Sequence, residues 1–507
     1  MARGHSEKPE GLLLEELSRL ATAVEMQNAT QLAAFKENAD TLRRLAAALE
    51  CLVATVRLPI RVIRKLLGVP ARLWQLLRKP SKTMRQVSYL PCPSKLETCL
   101  TIEGQRDLLI LTPDIVGNIR IGLGMRHWEI ARALAGRGVS VTLSTPHPLA
   151  TDLQGEGFAL CHCDTEADVL DLAHRHRCVM VQGEVLTRYP ALNASNLPMI
   201  VDIAAPLHIE NLQRNQPDFE FSKSVIVKGL ERGDFLICGN ERQRLYWLGM
   251  LTALGRLNKD LRDADQELRN LIDVVGFGIS AEPPRKSRDV VKGVIEGIEP
   301  DDFLMTWFGG IWDWLDPLPL IRAAGQAWKQ NRRIKLLFIS YRIPNGAIPE
   351  MARRASDLAV SLDLLGKCVF FIEHPVPYAE RADYLLEADL GVLCQACNFE
   401  TQVSARTRVL EYLWAERPIL LNHGDEWALT IERQHLGMVV EDNDVGRWQR
   451  AMLRLASDDE ERARMQANIA ALKPQLLWRH CVEPIDRFVS QKRGSALPVG
   501  SSARKAG

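Results

Sequence analysis

The chain has 507 residues, 46% of them apolar and 25% charged, with a formal net charge of +1. That length exceeds one ordinary core, so two or more domains are expected, and the composition is that of a globular chain. The near-zero charge gives no global reason to expect nucleic acid, no apolar run reaches the ~20 residues that span a bilayer, and the eleven irregularly spaced cysteines make no disulfide framework. Cys161/Cys163 and Cys394/Cys397 lack a second ligand pair at zinc-site spacing and read as packed thiols, so no metal is expected. The first residues lack the basic-then-apolar form of a signal peptide, which makes the cytoplasm the expected compartment.

Residues 1–55 read as helical. Leu17, Leu20 and Val24 share one face, and Leu42, Leu45, Leu49 and Leu52 repeat at coiled-coil spacing after a four-residue offset resembling a stutter. The pattern suits a homo-oligomerising helix or an amphipathic helix lying on the chain's own body. Residues 56–104 change character: Cys51 to Lys95 contains no acidic residue, while Arg57, Arg61, Arg64, Lys65, Arg72, Arg78, Lys79, Lys82 and Arg85 punctuate an apolar background. Such basic amphipathic helices can sink an apolar face into an anionic membrane surface, with residues 56–86 as the contact and the inner face of the cytoplasmic membrane as the location. A solvated helix pair packed on the body is the alternative. Aliphatic rather than aromatic interleaving argues against nucleic acid.

From residue 105 strand and helix alternate. Strands are predicted near 107–114, 139–146, 178–183, 199–204 and 234–239, with helices over 125–136 and 241–257, the second capped by Asn240. The alternation restarts after residue 280, with strands near 303–310, 335–340, 368–374, 389–395, 418–424 and 437–442. Residues 447–472 read as helical. The fold class is therefore α/β, two tandem Rossmann-like domains preceded by the helical arm, the first over 105–280 and the second over 281–475. A helix over 476–493 returns to the first, and a disordered tail occupies 494–507. The ligand is expected in the cleft between the halves. Gly117 to Met125 forms a glycine loop opening a helix, where N–H groups favour an anion. A dinucleotide fingerprint would need glycine at His127 and an acid after the next strand, and both are missing.

Four stretches in order, 113–146, 238–258, 308–323 and 406–426, resemble family 4 glycosyltransferases, the last two a subgroup found in bacterial surface-polysaccharide synthesis. The resemblance spans about 107–442. It implies a retaining transfer, without metal or other cofactor, from a UDP- or GDP-linked sugar bound mainly on the C-terminal half. The acceptor would be a lipid-linked or surface glycan such as lipopolysaccharide, O-antigen or capsule. Gly309 and Gly310 would approach the diphosphate. The usual Arg and Lys of the family are replaced by Ile311 and Asp316, so Arg406 and Arg408, with Arg342 as an outside candidate, become the expected phosphate cations. An Arg pair at a helix start would be unfavourable until an anion arrives. Glu411 matches the ribose-binding glutamate; Glu400 is the nearest acid to the sugar-contacting one, whose standard position is Val403. Gly122, Gly124 and Arg126 line the N-terminal loop, and Asp202 and His208 are acceptor-side candidates, with ordinary loop or cap roles as the alternative.

Two other readings stand beside a transferase: a catalytically degenerate two-Rossmann protein serving as a binding or scaffold subunit, and a sugar-nucleotide epimerase.

Overall fold

The computed structural model describes residues 105–117, 122–150, 153–213, 218–340, 348–396, 398–441 and 444–493. The expectations for the helical arm, the basic segment and the tail lie outside the described residues, as do Arg342 and Cys397.

Two parallel sheets carry the fold. The first has seven strands: β1 (Arg106–Leu111), β2 (Val141–Thr145), β3 (Ala159–His162), β4 (His176–Val181), β5 (Met199–Asp202), β6 (Phe235–Cys238) and β7 (Ile272–Val274), in the order β3-β2-β1-β4-β5-β6-β7. The second has six: β8 (Phe303–Phe308), β9 (Ile334–Ile339), β10 (Val369–Ile372), β11 (Leu390–Leu393), β12 (Ile419–Asn422) and β13 (Gly437–Val440), in the order β10-β9-β8-β11-β12-β13. Strands covered by helices on both faces must be apolar throughout. Leu-Leu-Ile-Leu in β1 and Ile-Lys-Leu-Leu-Phe-Ile in β9 are buried along their length apart from the first residues of β1. The sequence patterning misses β3 and β7: β7 has only three residues, and β3, Ala-Leu-Cys-His, is only partly buried and so lacks the continuous apolar run of the inner strands.

Helix limits follow local chemistry. The helix Glu241–Ala253 starts where Asn240 accepts the Gln243 N–H and stops before Gly255, four residues short of the predicted end. The predicted 447–472 helix is two, Val445–Ser457 and Asp459–Leu472, because Asp458 caps the second by accepting the Glu461 N–H. Helices Trp478–Cys481 and Glu483–Arg493 pack Trp478, Val482, Ile485, Phe488 and Val489 into the same core as β1, β4 and the helix Gly122–Ala135.

In each sheet the order reverses beside the first strand, between β1 and β4 and between β8 and β11. Such reversals open a crevice at the carboxyl ends of the strands. In the second sheet Leu390 and Gly391 pair with Met305 and Thr306, and then the strands part. The Tyr412 hydroxyl fills the parting. It accepts the Phe308 N–H at 3.0 Å and lies 2.9 Å from the Thr306 carbonyl and 3.0 Å from that of Val392, donating to one of the two. Tyr412→Phe leaves those buried groups without their partner and should cost about 1–3 kcal/mol. Urea denaturation reads this as a lowered midpoint at unchanged slope; an unchanged midpoint would show the hydroxyl to be dispensable.

Candidate functional site

On the N-terminal half, the carboxyl end of β1 runs through Asp114 to the helix Gly122–Ala135. The Gly124 N–H donates to Asp114 Oδ2 at 2.9 Å, and a Cβ on Gly124 would lie 2.6 Å from the Ile115 carbonyl oxygen. Only glycine permits that approach. The chain's own carboxylate thus serves the helix start, where the sequence reading placed an incoming anion. Gly122, at φ +59°, makes the turn into the helix.

Arg126 is fully buried. Its guanidinium donates to Asp202 Oδ2 at 2.7 Å and to the carbonyls of Val275 at 2.7 Å and Gly276 at 3.2 Å, over the Phe277 ring. Burial alone would raise the Asp202 pKa, but Arg126, followed by His127, outweighs it and holds the carboxyl far below the usual range. His208 is also buried. Its Nε2 meets the Tyr246 hydroxyl at 2.7 Å, and burial pushes its pKa down to about 4, so the imidazole is neutral at pH 7. The structure therefore corrects the acceptor-side reading: Arg126, Asp202 and His208 are closed inside the first half. Arg126 and Asp202 tie the helix Gly122–Ala135, β5 and the segment after β7 together, and His208 joins the helix Leu207–Gln213 to the helix Glu241–Ala253.

The second half behaves differently. β8 ends in Gly309, at φ +102°, and Gly310, a turn that a side-chain-bearing residue would strain. Arg408, the first residue of the helix Arg408–Trp414, donates to the carbonyls of Phe308 at 2.5 Å and Gly310 at 2.6 Å, with its guanidinium 4.4 Å over the Trp307 ring. Burial pushes its pKa down to about 10, which leaves it charged at pH 7. Arg406 pairs with Glu400 at 2.7 Å and donates to Gln395 Oε1 at 2.6 Å. Gln395 passes the chain on to Asp425 at 3.0 Å, and the Glu400 side chain is 1% exposed. The expected helix-start cation pair thus needs no incoming anion. Glu400 already neutralises Arg406, and Arg408 is held by carbonyls of the glycine turn. Glu400 is closed off from a transferred sugar by the same burial.

Glu411 lies three residues beyond Arg408 on the same helix face, with its side chain 24% exposed. Arg381 donates to it at 3.1 Å and is clasped between the rings of Tyr378, 3.6 Å away, and Trp414, 4.0 Å away. Burial raises the Glu411 pKa; Arg381 opposes, and Glu129 from the first half adds to the rise. The helix Gly122–Ala135, which carries Glu129, thus lies near enough for the two carboxylates to interact. The two halves also touch where Asn240 Nδ2 donates to the Ser404 carbonyl at 2.9 Å and Asn398 Nδ2 to Gln213 Oε1 at 3.4 Å. Arg381 and Tyr412 were invisible as partners in the sequence because Glu411 lies 30 positions from Arg381 and the groups that Tyr412 holds lie 20 or more positions away. Among the described residues no group of three or more His, Cys, Asp or Glu side chains could hold a metal ion, and no helix is long and apolar enough to cross a membrane. Cys161, Cys163 and Cys394 are buried and form no disulfide.

Two predictions follow from these ion pairs. Glu400→Gln strands the buried Arg406 charge and should cost about 3–5 kcal/mol, whereas Glu411→Gln, at the cleft surface, should cost about 1 kcal/mol or less; equal urea midpoints for the two variants would contradict this assignment. A depressed folded-state pKa contributes stability that is complete above the usual aspartate pKa of about 3.9 and is lost as the pH falls below it. The Asp202→Asn variant should therefore show a shallower fall in urea midpoint between pH 6 and pH 3 than the native protein.

No protein-family model and no curated protein sequence matches the chain. Solved structures do. HepE of Anabaena, crystallised in complex with UDP and glucose, superposes with a TM-score of 0.58 at 12% identity, covering 76% of this chain and 99% of its own. Sucrose-phosphate synthase of Thermosynechococcus elongatus gives 0.54 at 13% identity, covering 76% and 98%. An E. coli trehalose-6-phosphate protein bound to UDP-2-fluoro glucose gives 0.51 at 13% identity, covering 77% and 99%. The similarity runs through both sheets, and the chain has the two-domain GT-B fold.

Proposed function

We propose that the chain is a glycosyltransferase that moves a sugar from a nucleotide diphosphate donor to a glycan or lipid-linked acceptor. Glu411 carries this reading: a partly open carboxylate, held by Arg381, on the helix whose first residue braces the Gly309–Gly310 turn at the strand-order reversal. A carboxylate there accepts hydrogen bonds from ribose hydroxyls. The glycine turn lets backbone approach a diphosphate, and the charged Arg408 directly behind it favours the negative charge that develops on the leaving group. No metal is needed for that stabilisation. The fold shared with proteins crystallised with UDP or a UDP-sugar supports a nucleotide-sugar donor. Retention of anomeric configuration, membership of family 4 and a role in surface-polysaccharide synthesis extend the sequence resemblance. The basic segment 56–86 would hold the enzyme peripherally on an anionic membrane face, and residues 11–55 would pair chains.

One observation favours the scaffold reading. Arg406 and Arg408 are both engaged by the protein itself, and Asp316 stands where the family carries a Lys. Calorimetric titration with UDP and GDP separates the two. The transferase reading expects one nucleotide to bind at micromolar affinity and Glu411→Ala to weaken it by about tenfold or more, the loss of a charged hydrogen-bond acceptor. Absence of binding to the intact, folded protein would leave the scaffold reading standing.

A further inference from the structure

The first half offers the acceptor no polar pocket of its own at Arg126, Asp202 or His208, since all three are buried. The second half does have one. At the carboxyl edge of its sheet lies a cavity of about 450 Å³, lined by Trp314, Asp316, Arg322, Arg354 and Asn398, with Gln213 reaching in from the first half. Its size falls within the range of small-molecule sites. Resting on the transferase reading above, we propose that this cavity seats a pyranose ring of a glycan acceptor, with Trp314 as its stacking wall.

Three features converge on a sugar. Sugar hydroxyls both donate and accept, and the lining supplies both partners: the Asp316 carboxylate accepts, while Arg322, Arg354 and the two amides donate. The C–H face of a pyranose needs a flat apolar surface, which an indole provides. Trp314 is held rigid for that purpose, stacked on Trp312 with ring centroids 5.3 Å apart and planes 3° from parallel. Asp316, which departs from the phosphate-binding Lys of the family pattern, suits hydroxyls and repels phosphate.

The position fits an acceptor rather than the donor. A Cβ on Gly310 would lie 3.3 Å from the Trp312 ring, so the indole pair stands between the glycine turn and the cavity. The cavity is thus one indole stack from the place proposed for the diphosphate. Gln213 and Asn398 are also hydrogen-bonded to each other at 3.4 Å, so both halves contribute to one wall.

Saturation-transfer NMR on the full chain tests this with methyl α-D-glucopyranoside, methyl α-D-mannopyranoside and methyl N-acetyl-β-D-glucosaminide as probes. Transfer to at least one probe is expected, undiminished by excess UDP and retained in Glu411→Gln. It should weaken by roughly tenfold in Trp314→Ala and in Asp316→Asn. Should Trp314→Ala fail to fold, Asp316→Asn and Arg354→Gln carry the test. No transfer to any probe, transfer abolished by UDP, or transfer surviving in the pocket variants overturns the proposal. UDP calorimetry on the same samples keeps the two readings apart. UDP binding without saccharide transfer overturns the acceptor pocket alone; saccharide transfer without UDP binding overturns the transferase reading and leaves a sugar-binding pocket.

Discussion

After Gly391 and Thr306 the strands β8 and β11 no longer share a ladder, and a single phenol oxygen takes over the backbone groups left between them. The site of the second half depends on that Tyr412 hydroxyl. With the strands parted but satisfied, the end of β8 is free to turn through Gly309 and Gly310, and the helix carrying Tyr412 is fixed against the crevice. Arg408, one turn earlier, holds the carbonyls of the glycine turn, and Glu411 faces the cleft. One helix therefore supplies the brace for the strands, the cation behind the turn and the partly open carboxylate.

The two halves use their charges in opposite ways. In the first, Arg126 and Asp202 neutralise each other in the interior, and Asp114 occupies the N-terminus of the helix Gly122–Ala135. Leaving either charge unpaired there would be costly, so the pair rigidifies the half and offers nothing to a ligand. In the second, Glu400, Arg406, Gln395 and Asp425 form an equally closed chain. Glu411 stays partly open, with the buried Arg381 guanidinium held beneath it between two rings. A carboxylate in that setting can exchange its partner for a ligand hydroxyl at small cost.

The same contrast accounts for the cavity beside the glycine turn. Trp312 and Trp314 stack on each other at the margin of the core and keep an apolar surface next to carboxylate, guanidinium and amide groups. Such mixed linings suit a ligand that is apolar on its faces and polar at its rim. Donor and acceptor sites on either side of one indole stack would bring a leaving group and an attacking hydroxyl close together without mixing their binding groups.

Much of this was legible in the primary structure. Apolar runs long enough to be buried on both faces marked eleven of the thirteen strands, and cap residues such as Asn240 set helix starts, because these depend on neighbours within a few positions. The missed strands are β7, with three residues, and the only partly buried β3. Residue types also singled out Gly309, Gly310 and Glu411 as candidates. What they could not decide was which charged residues face solvent. Arg406 and Arg408 look alike in sequence, yet one meets a carboxylate and the other two carbonyls. Asp202 follows from its place at a strand end and Glu411 from motif position, yet Asp202 is buried and Glu411 stays partly open. A charge becomes structural or functional according to the partner that folding brings to it from far along the chain. Tertiary packing alone sets that choice, because the cost of burying an ion depends on what surrounds it in space.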